Sequence, residues 1–124
     1  MDIKQTQDVQ NSLAPAARTA SANGSGVDLA NFASATATFV VGTITDGTHT
    51  PSVEESDDNT TFNAVAAADL IGSLAALASN TNQRVGYRGT KRYIRAVTTV
   101  AGATTGGVYA GVVIRGDGRK QPTA

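Results

Sequence analysis

Alternation of apolar and polar positions with a period of two runs through the last third of the chain and predicts paired strands there. From Tyr93 to Val100 an extended backbone puts Tyr93, Arg95, Val97 and Thr99 on one side and Ile94, Ala96, Thr98 and Val100 on the other. From Val108 to Arg115 the pattern resumes, with Val108, Ala110, Val112 and Ile114 opposed to Tyr109, Gly111, Val113 and Arg115. Ala101 to Gly107 between them is small and glycine-rich, as a turn between strands requires. Arg84–Arg115 therefore reads as a β-hairpin with two apolar faces, which belongs inside a sandwich or at an interface.

The same periodicity recurs upstream. Val27–Phe32 reads as a short first strand, and in Thr36–Ile44 Ala37, Phe39 and Val41 face one way while Thr38, Val40 and Ile44 face the other. Asp46-Gly47 follows as a hairpin signal, because both residues tolerate positive φ. Thr48–Glu55 returns as a strand in which Pro51, lacking an N–H, marks an edge or a bulge. Ser56-Asp57-Asp58-Asn59 is a turn cluster, and Thr60–Val65 begins another strand with Phe62 as its core candidate. Ala66–Ser79 has helical composition, with Leu70, Leu74 and Leu77 about a turn apart, but Gly72 weakens it to a short helix or an apolar connection. Asn80–Tyr87 completes the strand count. Met1–Gly26 is polar and closes on Asn23-Gly24-Ser25-Gly26 like a linker. The expected architecture is all-β: one antiparallel β-sandwich or jelly-roll-like domain over 27–124, preceded by a flexible, extended N-terminal arm over 1–26.

Charge adds a second pattern. Net charge is zero, yet residues 1–70 hold nine acids against two bases, and residues 71–124 hold one acid against eight bases. If the halves pair in one sheet, cross-strand contacts cancel most of this; any remainder gives the surface acidic and basic ends suited to docking. Cysteine is absent, which excludes disulfides and thiolate metal sites. No secretory signal and no apolar run long enough for a bilayer is visible, so the expectation is a soluble protein made in a cytoplasm.

Candidate chemistry is sparse. His49 is the only histidine and has no local partners for a triad or a metal, so it reads as structural or neutral. Glu54, Glu55, Asp57 and Asp58 lack the spacing of a calcium loop and the opposition of a glycosidase pair, and read as a solvated turn. Gly102–Gly107 lacks the lysine and the strand-to-helix context of a phosphate loop. No catalytic residue, cofactor site or metal site is expected. The best candidate binding patch joins Arg88, Lys91, Arg92 and Arg95 to Tyr87 and Tyr93. Basic residues interleaved with aromatics can track nucleic acid, but the chain is not basic overall, and an acidic protein surface fits better.

DGTHT, then VEESDDNTTFNAVAAADLIG, then VGYRGTKRYIRAVTTVAGATTGGVYAGVVIRG, stand in this order in the sequence. In them, ESDD followed by an aromatic strand, and GYxGxKRYIR followed by GATTG, resemble a family of small virion structural proteins of tailed bacteriophages, encoded near the major capsid protein. The resemblance runs from about Ala17 to Pro122, departing at Pro51 and in the apolar Leu70–Leu77 segment. It implies a non-enzymatic protein made in the bacterial host cytoplasm and carried on the virion, foremost a capsid decoration or cement protein with a β-sandwich fold. Its implied partners are the major capsid protein and neighbouring copies of itself, with no membrane. Phe32, Tyr87 and Tyr93 are the interface anchors expected if they prove exposed. The alternatives are a head–tail connector, neck or tail component, and a host-glycan-binding module, the last opposed by the absence of tryptophan.

Overall fold

The alternation is realised as ten strands in a computed structural model that describes residues 3–118. Asp2, Arg119, Lys120 and the outer ends of the expected arm and domain lie outside the described residues. The strands are β1 (Asp8–Arg18), β2 (Ala22–Asn23), β3 (Val27–Asp28), β4 (Phe32–Ile44), β5 (Thr48–Ser56), β6 (Asn63–Ala64), β7 (Leu70–Ile71), β8 (Asn82–Tyr87), β9 (Tyr93–Ala101) and β10 (Gly107–Gly118). A single helical turn, α1 (Ile3–Thr6), precedes them, and a 3₁₀ turn spans Ala67–Asp69. Sheet I has the order β1-β10-β4-β8-β7 and sheet II the order β2-β9-β5-β6, with β3 also on β9. Every pairing is antiparallel, and the two sheets pack face to face as a β-sandwich, as the alternation predicts.

Side-chain facing follows the sequence closely. Ala37, Phe39 and Val41 of β4, Ile94, Ala96 and Thr98 of β9, and Tyr109 and Val113 of β10 are all buried between the sheets. The lateral pairing does not follow it. β9 and β10 lie in opposite sheets, so Arg84–Arg115 is no hairpin, and its turn is a crossing from sheet II to sheet I. Each strand pairs along its length with other neighbours: β9 runs beside β5 from Tyr93 to Ala101, and β10 lies between β1 and β4. Facing one another, their small residues let the sheets close, since a Cβ added at Gly111 would come within 2.7 Å of Ala96 Cβ and 3.3 Å of Phe39.

Asp46-Gly47 is likewise a crossing, from β4 in sheet I to β5 in sheet II, and not a hairpin turn. Gly47 does adopt positive φ, at 84°. The Asp46 carboxylate reaches the other crossing loop and accepts the N–H groups of Thr104, Thr105 and Gly106, the last at 2.6 Å. Gly106 returns its carbonyl to the N–H of Thr45 at 2.9 Å. Beside this clamp His49 is fully buried, with Nε2 3.1 Å from the Asp46 carbonyl and Nδ1 2.9 Å from the Tyr109 hydroxyl. A carbonyl only accepts, so Nε2 carries the proton toward it, and the histidine ties β5 to β10 across the core.

Three further expectations change. Residues 8–18 of the expected arm form β1, an edge strand paired with β10 from Asp8↔Arg115 to Arg18↔Gly107. Register shifts on either side of Leu13 interrupt its alternation, which hid the strand, yet Leu13 is buried and Ser12 Oγ accepts the Ala96 N–H of the opposite sheet at 2.8 Å. Of the two forms expected for Ala66–Ser79, the apolar connection is the one present: after the 3₁₀ turn Gly72 stands at φ 100°, the chain beyond it has no regular structure, and the Gln83 side chain bonds the N–H and carbonyl of Ala75. Leu77 still reaches the core. Only Asn63–Ala64 of the strand expected at Thr60–Val65 pairs, and Phe62 stays half-buried under Arg95. In Val27–Phe32 only Val27–Asp28 is paired as β3; Asn31 turns the chain at φ 72° and Phe32 opens β4. Pro51 sits where the expectation placed it, on a stretch of β5 with a strand partner on one side, because β6 meets only Glu54 and Glu55.

The close approach at Gly111 gives a direct check on the packing. Gly111→Ala should lower stability by about 1–3 kcal/mol in chemical denaturation, because the new methyl group must push Ala96 or Phe39 aside.

Candidate functional site

The loop that follows β8 brings part of the expected patch together. Phe32, Tyr87, Lys91 and Arg92 line a cleft of about 380 Å³ where β4 begins and β8 ends. Arg88 is exposed, with its backbone N–H on the Asp69 carbonyl at 2.8 Å and its side chain without a partner among the described residues. Arg95 lies elsewhere, on the outer face of sheet II, opposite Glu54. Tyr93 is half-buried beneath the Arg92 guanidinium, 5.3 Å from ring centre to Cζ.

Most of the expected patch is already engaged within the chain. Arg92 holds both oxygens of Asp28 at 2.9 and 2.8 Å, and Lys91 Nζ meets Asp57 at 2.9 Å. These contacts hold the Asp28 carboxyl below, and the Lys91 and Arg92 side chains above, their ordinary ranges. Arg95 Nε donates to Glu54 at 2.8 Å and its guanidinium lies 4.0 Å from the centre of the Phe62 ring. Arg115 pairs with Asp8, donates to the Asp28 carbonyl and covers the Phe32 ring. Burial pulls the Asp8 carboxyl upward, but the hydrogen bonds from Arg115 and Gln10 outweigh it and hold it below the usual range. Tyr87 is buried, and burial with its 2.7 Å bond to Glu55 pushes its hydroxyl up. Each of the four ion pairs among the described residues joins an acid of residues 1–70 to a base of residues 71–124, so the charge asymmetry largely cancels at home.

The acidic turn is also committed. Glu54 and Glu55 serve Arg95 and Tyr87, and Asp57 serves Lys91. Asp58 Oδ1 accepts the N–H groups of Thr61 at 3.0 Å and Thr60 at 2.9 Å and the Ser56 hydroxyl at 2.9 Å, which lowers its pKa to about 2.

What remains open is a face that the sequence reading did not single out. Among the described residues the four most exposed large aliphatic side chains, Val9 (59%), Ile71 (56%), Val40 (47%) and Val108 (46%), all belong to the outer side of sheet I. One row of directly opposed residues crosses all five strands as Ile71, Gly86, Thr36, Ile114 and Val9. The next is Arg84, Thr38, Val112 and Asn11, and the third Asn82, Val40 and Ala110. Arg84 is the one charged residue in these rows, exposed and without a partner among the described residues. The signal for the face lay in Val108, Ala110, Val112 and Ile114, whose apolar run opposes the equally apolar inner face.

Neither a protein-family model nor a curated protein matches the chain. Solved structures similar to it include the SPBc2 prophage-derived protein YomS, at 16% identity and a TM-score of 0.49 over 87% of this chain and 94% of that one. A structure of the Gx strain of infectious bursal disease virus is similar at 18% identity and a TM-score of 0.37, over 97% of this chain; the chain spans 32% of that protein's length. Among the described residues no helix is long and apolar enough to cross a membrane.

Two outcomes test these assignments. Arg95→Glu should lower stability by about 2 kcal/mol, since it faces Glu54 with a like charge and uncovers Phe62, and adding Glu54→Arg should recover much of the loss in a double-mutant cycle. Because the folded pKa of Asp58 is depressed, its contribution is complete above the unfolded value of about 4 and fades as pH falls toward about 2. Asp58→Asn should therefore lose less stability than the parent across that interval in acid titrations of unfolding.

Proposed function

We propose that this chain is a non-enzymatic structural protein of a tailed-bacteriophage virion, a decoration or cement protein that lies on the outer surface of the major capsid lattice and stabilises the head. The observation that carries this reading is the concentration of exposed aliphatic side chains on one outer face of a sandwich whose charged groups are largely paired internally. A face of that kind is suited to being covered by another protein. The order of ESDD, GYxGxKRYIR and GATTG supports the same reading through its resemblance to small phage virion proteins.

Lattice binding makes modest demands on each contact. Many copies, each burying a small area, together brace a shell against the pressure of packed DNA. The sandwich also suits a surface on which copies stand side by side, because it offers little edge for strand pairing between them. β2, β6 and β7 are two residues long, and β1 is broken by register shifts and carries Pro15.

Purified protein added to heads assembled without it should bind to saturation at a fixed ratio to the major capsid protein and raise the temperature at which the heads rupture. Absence of binding would retire the reading, and copies confined to a single ring in purified virions would move the protein to the neck or tail.

A further inference from the structure

We infer that the outer face of sheet I is the docking surface, and that it seats an apolar protein surface bearing a carboxylate that Arg84 receives. The inference rests on the reading above, which makes the partner the major capsid protein. It differs from the basic-patch expectation, because Lys91, Arg92 and Arg95 already hold Asp57, Asp28 and Glu54.

Position makes Arg84 decisive. It stands on β8 between the row that holds Ile71 and the row that holds Val40, so a partner that covers both aliphatic side chains also covers the guanidinium. Gly86, between Arg84 and the end of the strand, keeps the surface low where Ile71 lies across it; a Cβ there would come within 3.2 Å of Ile71 Cβ. Covering an arginine without a counter-charge is strongly unfavourable, whereas a carboxylate meets its planar fork with two hydrogen bonds. The partner must therefore supply an acid at that point.

Charge also argues against a second copy as the occupant. The rows around Arg84 contain no acid, so two such faces in contact would each cover a guanidinium with apolar surface. Asp69 and Asp117 stand at the corners, outside those rows, and Asp117 already accepts the Ser34 hydroxyl at 3.1 Å. Strand addition at the sheet margins is opposed by the two-residue β7 and the interrupted β1.

The test adds wild-type protein and four exposed-site variants to heads assembled from the major capsid protein without this chain, after circular dichroism confirms that each variant folds. Val40→Glu and Arg84→Glu should each weaken binding roughly thirtyfold or more, and Arg84→Lys should lose less because it keeps the charge but not the fork. Thr50→Glu, on the outer face of sheet II, should bind as the parent does. Unchanged binding by Val40→Glu and Arg84→Glu, while the parent binds, would overturn the face and leave the decoration reading standing. Loss with Val40→Glu but not with Arg84→Glu would overturn the carboxylate. Failure of the parent itself to bind would bring down both readings, and a dimer in sedimentation velocity that Val40→Glu disperses would give the face to a second copy.

Discussion

The two loops that cross between the sheets are locked together by a polar clamp centred on Asp46. Its carboxylate collects three N–H groups from the loop between β9 and β10, its carbonyl receives His49, and the Gly106 carbonyl answers from the other side by accepting the N–H of Thr45. Both crossings that flank the clamp are made of small residues with no large apolar side chain to bury, and their backbone groups are satisfied by one another. The bond to Gly106 comes first among the causes that hold the Asp46 carboxyl below the ordinary carboxylate range. With the crossings locked, β5 and β10 enter their sheets at set heights, which brings Gly111 over Ala96 and His49 within reach of Tyr109.

Period-two patterning revealed which side chains share a face, since that depends only on local geometry. The grouping of Phe39 with Val41, Ile94 with Ala96 and Tyr109 with Val113 was legible for that reason, and so were the Ser56–Asn59 turn and the edge or bulge position of Pro51; which face is buried was not. Lateral neighbours were not legible. Two alternating strands separated by a short glycine-rich loop satisfy the same pattern whether they pair beside one another or face one another, and only the competition of β1, β4 and β5 for partners decides it. β1 escaped notice because its shifts in register leave Leu13 nearly alone as an inward apolar residue. The leucines of Ala66–Ser79 kept a helical spacing that Gly72 prevents the backbone from using.

The candidate site divides along a related line. Opposite charges in the two halves suggested mutual pairing, and the four ion pairs carry it out, including three of the bases expected to face a partner. Recognition of a partner then falls to what the internal pairing leaves over: an aliphatic face, a shallow cleft beside Phe32 and Tyr87, and two arginines on or just beyond β8. Surface energetics of this kind favour steady attachment, because uncovered aliphatic groups gain from any close-fitting cover while a lone guanidinium selects among covers.

The pairing of β1 with β10 joins almost the first described residues to almost the last, Asp8 to Arg115. During synthesis β1 leaves the ribosome long before its partner exists, so sheet I closes only once β10 has emerged. β10, the strand that links β1 to the rest of the sheet, follows all the others in the chain. Until then the newborn chain carries an unmatched strand through a crowded cell, and the interruptions around Leu13, together with Pro15, give that waiting strand a poor template for misassembly with its neighbours.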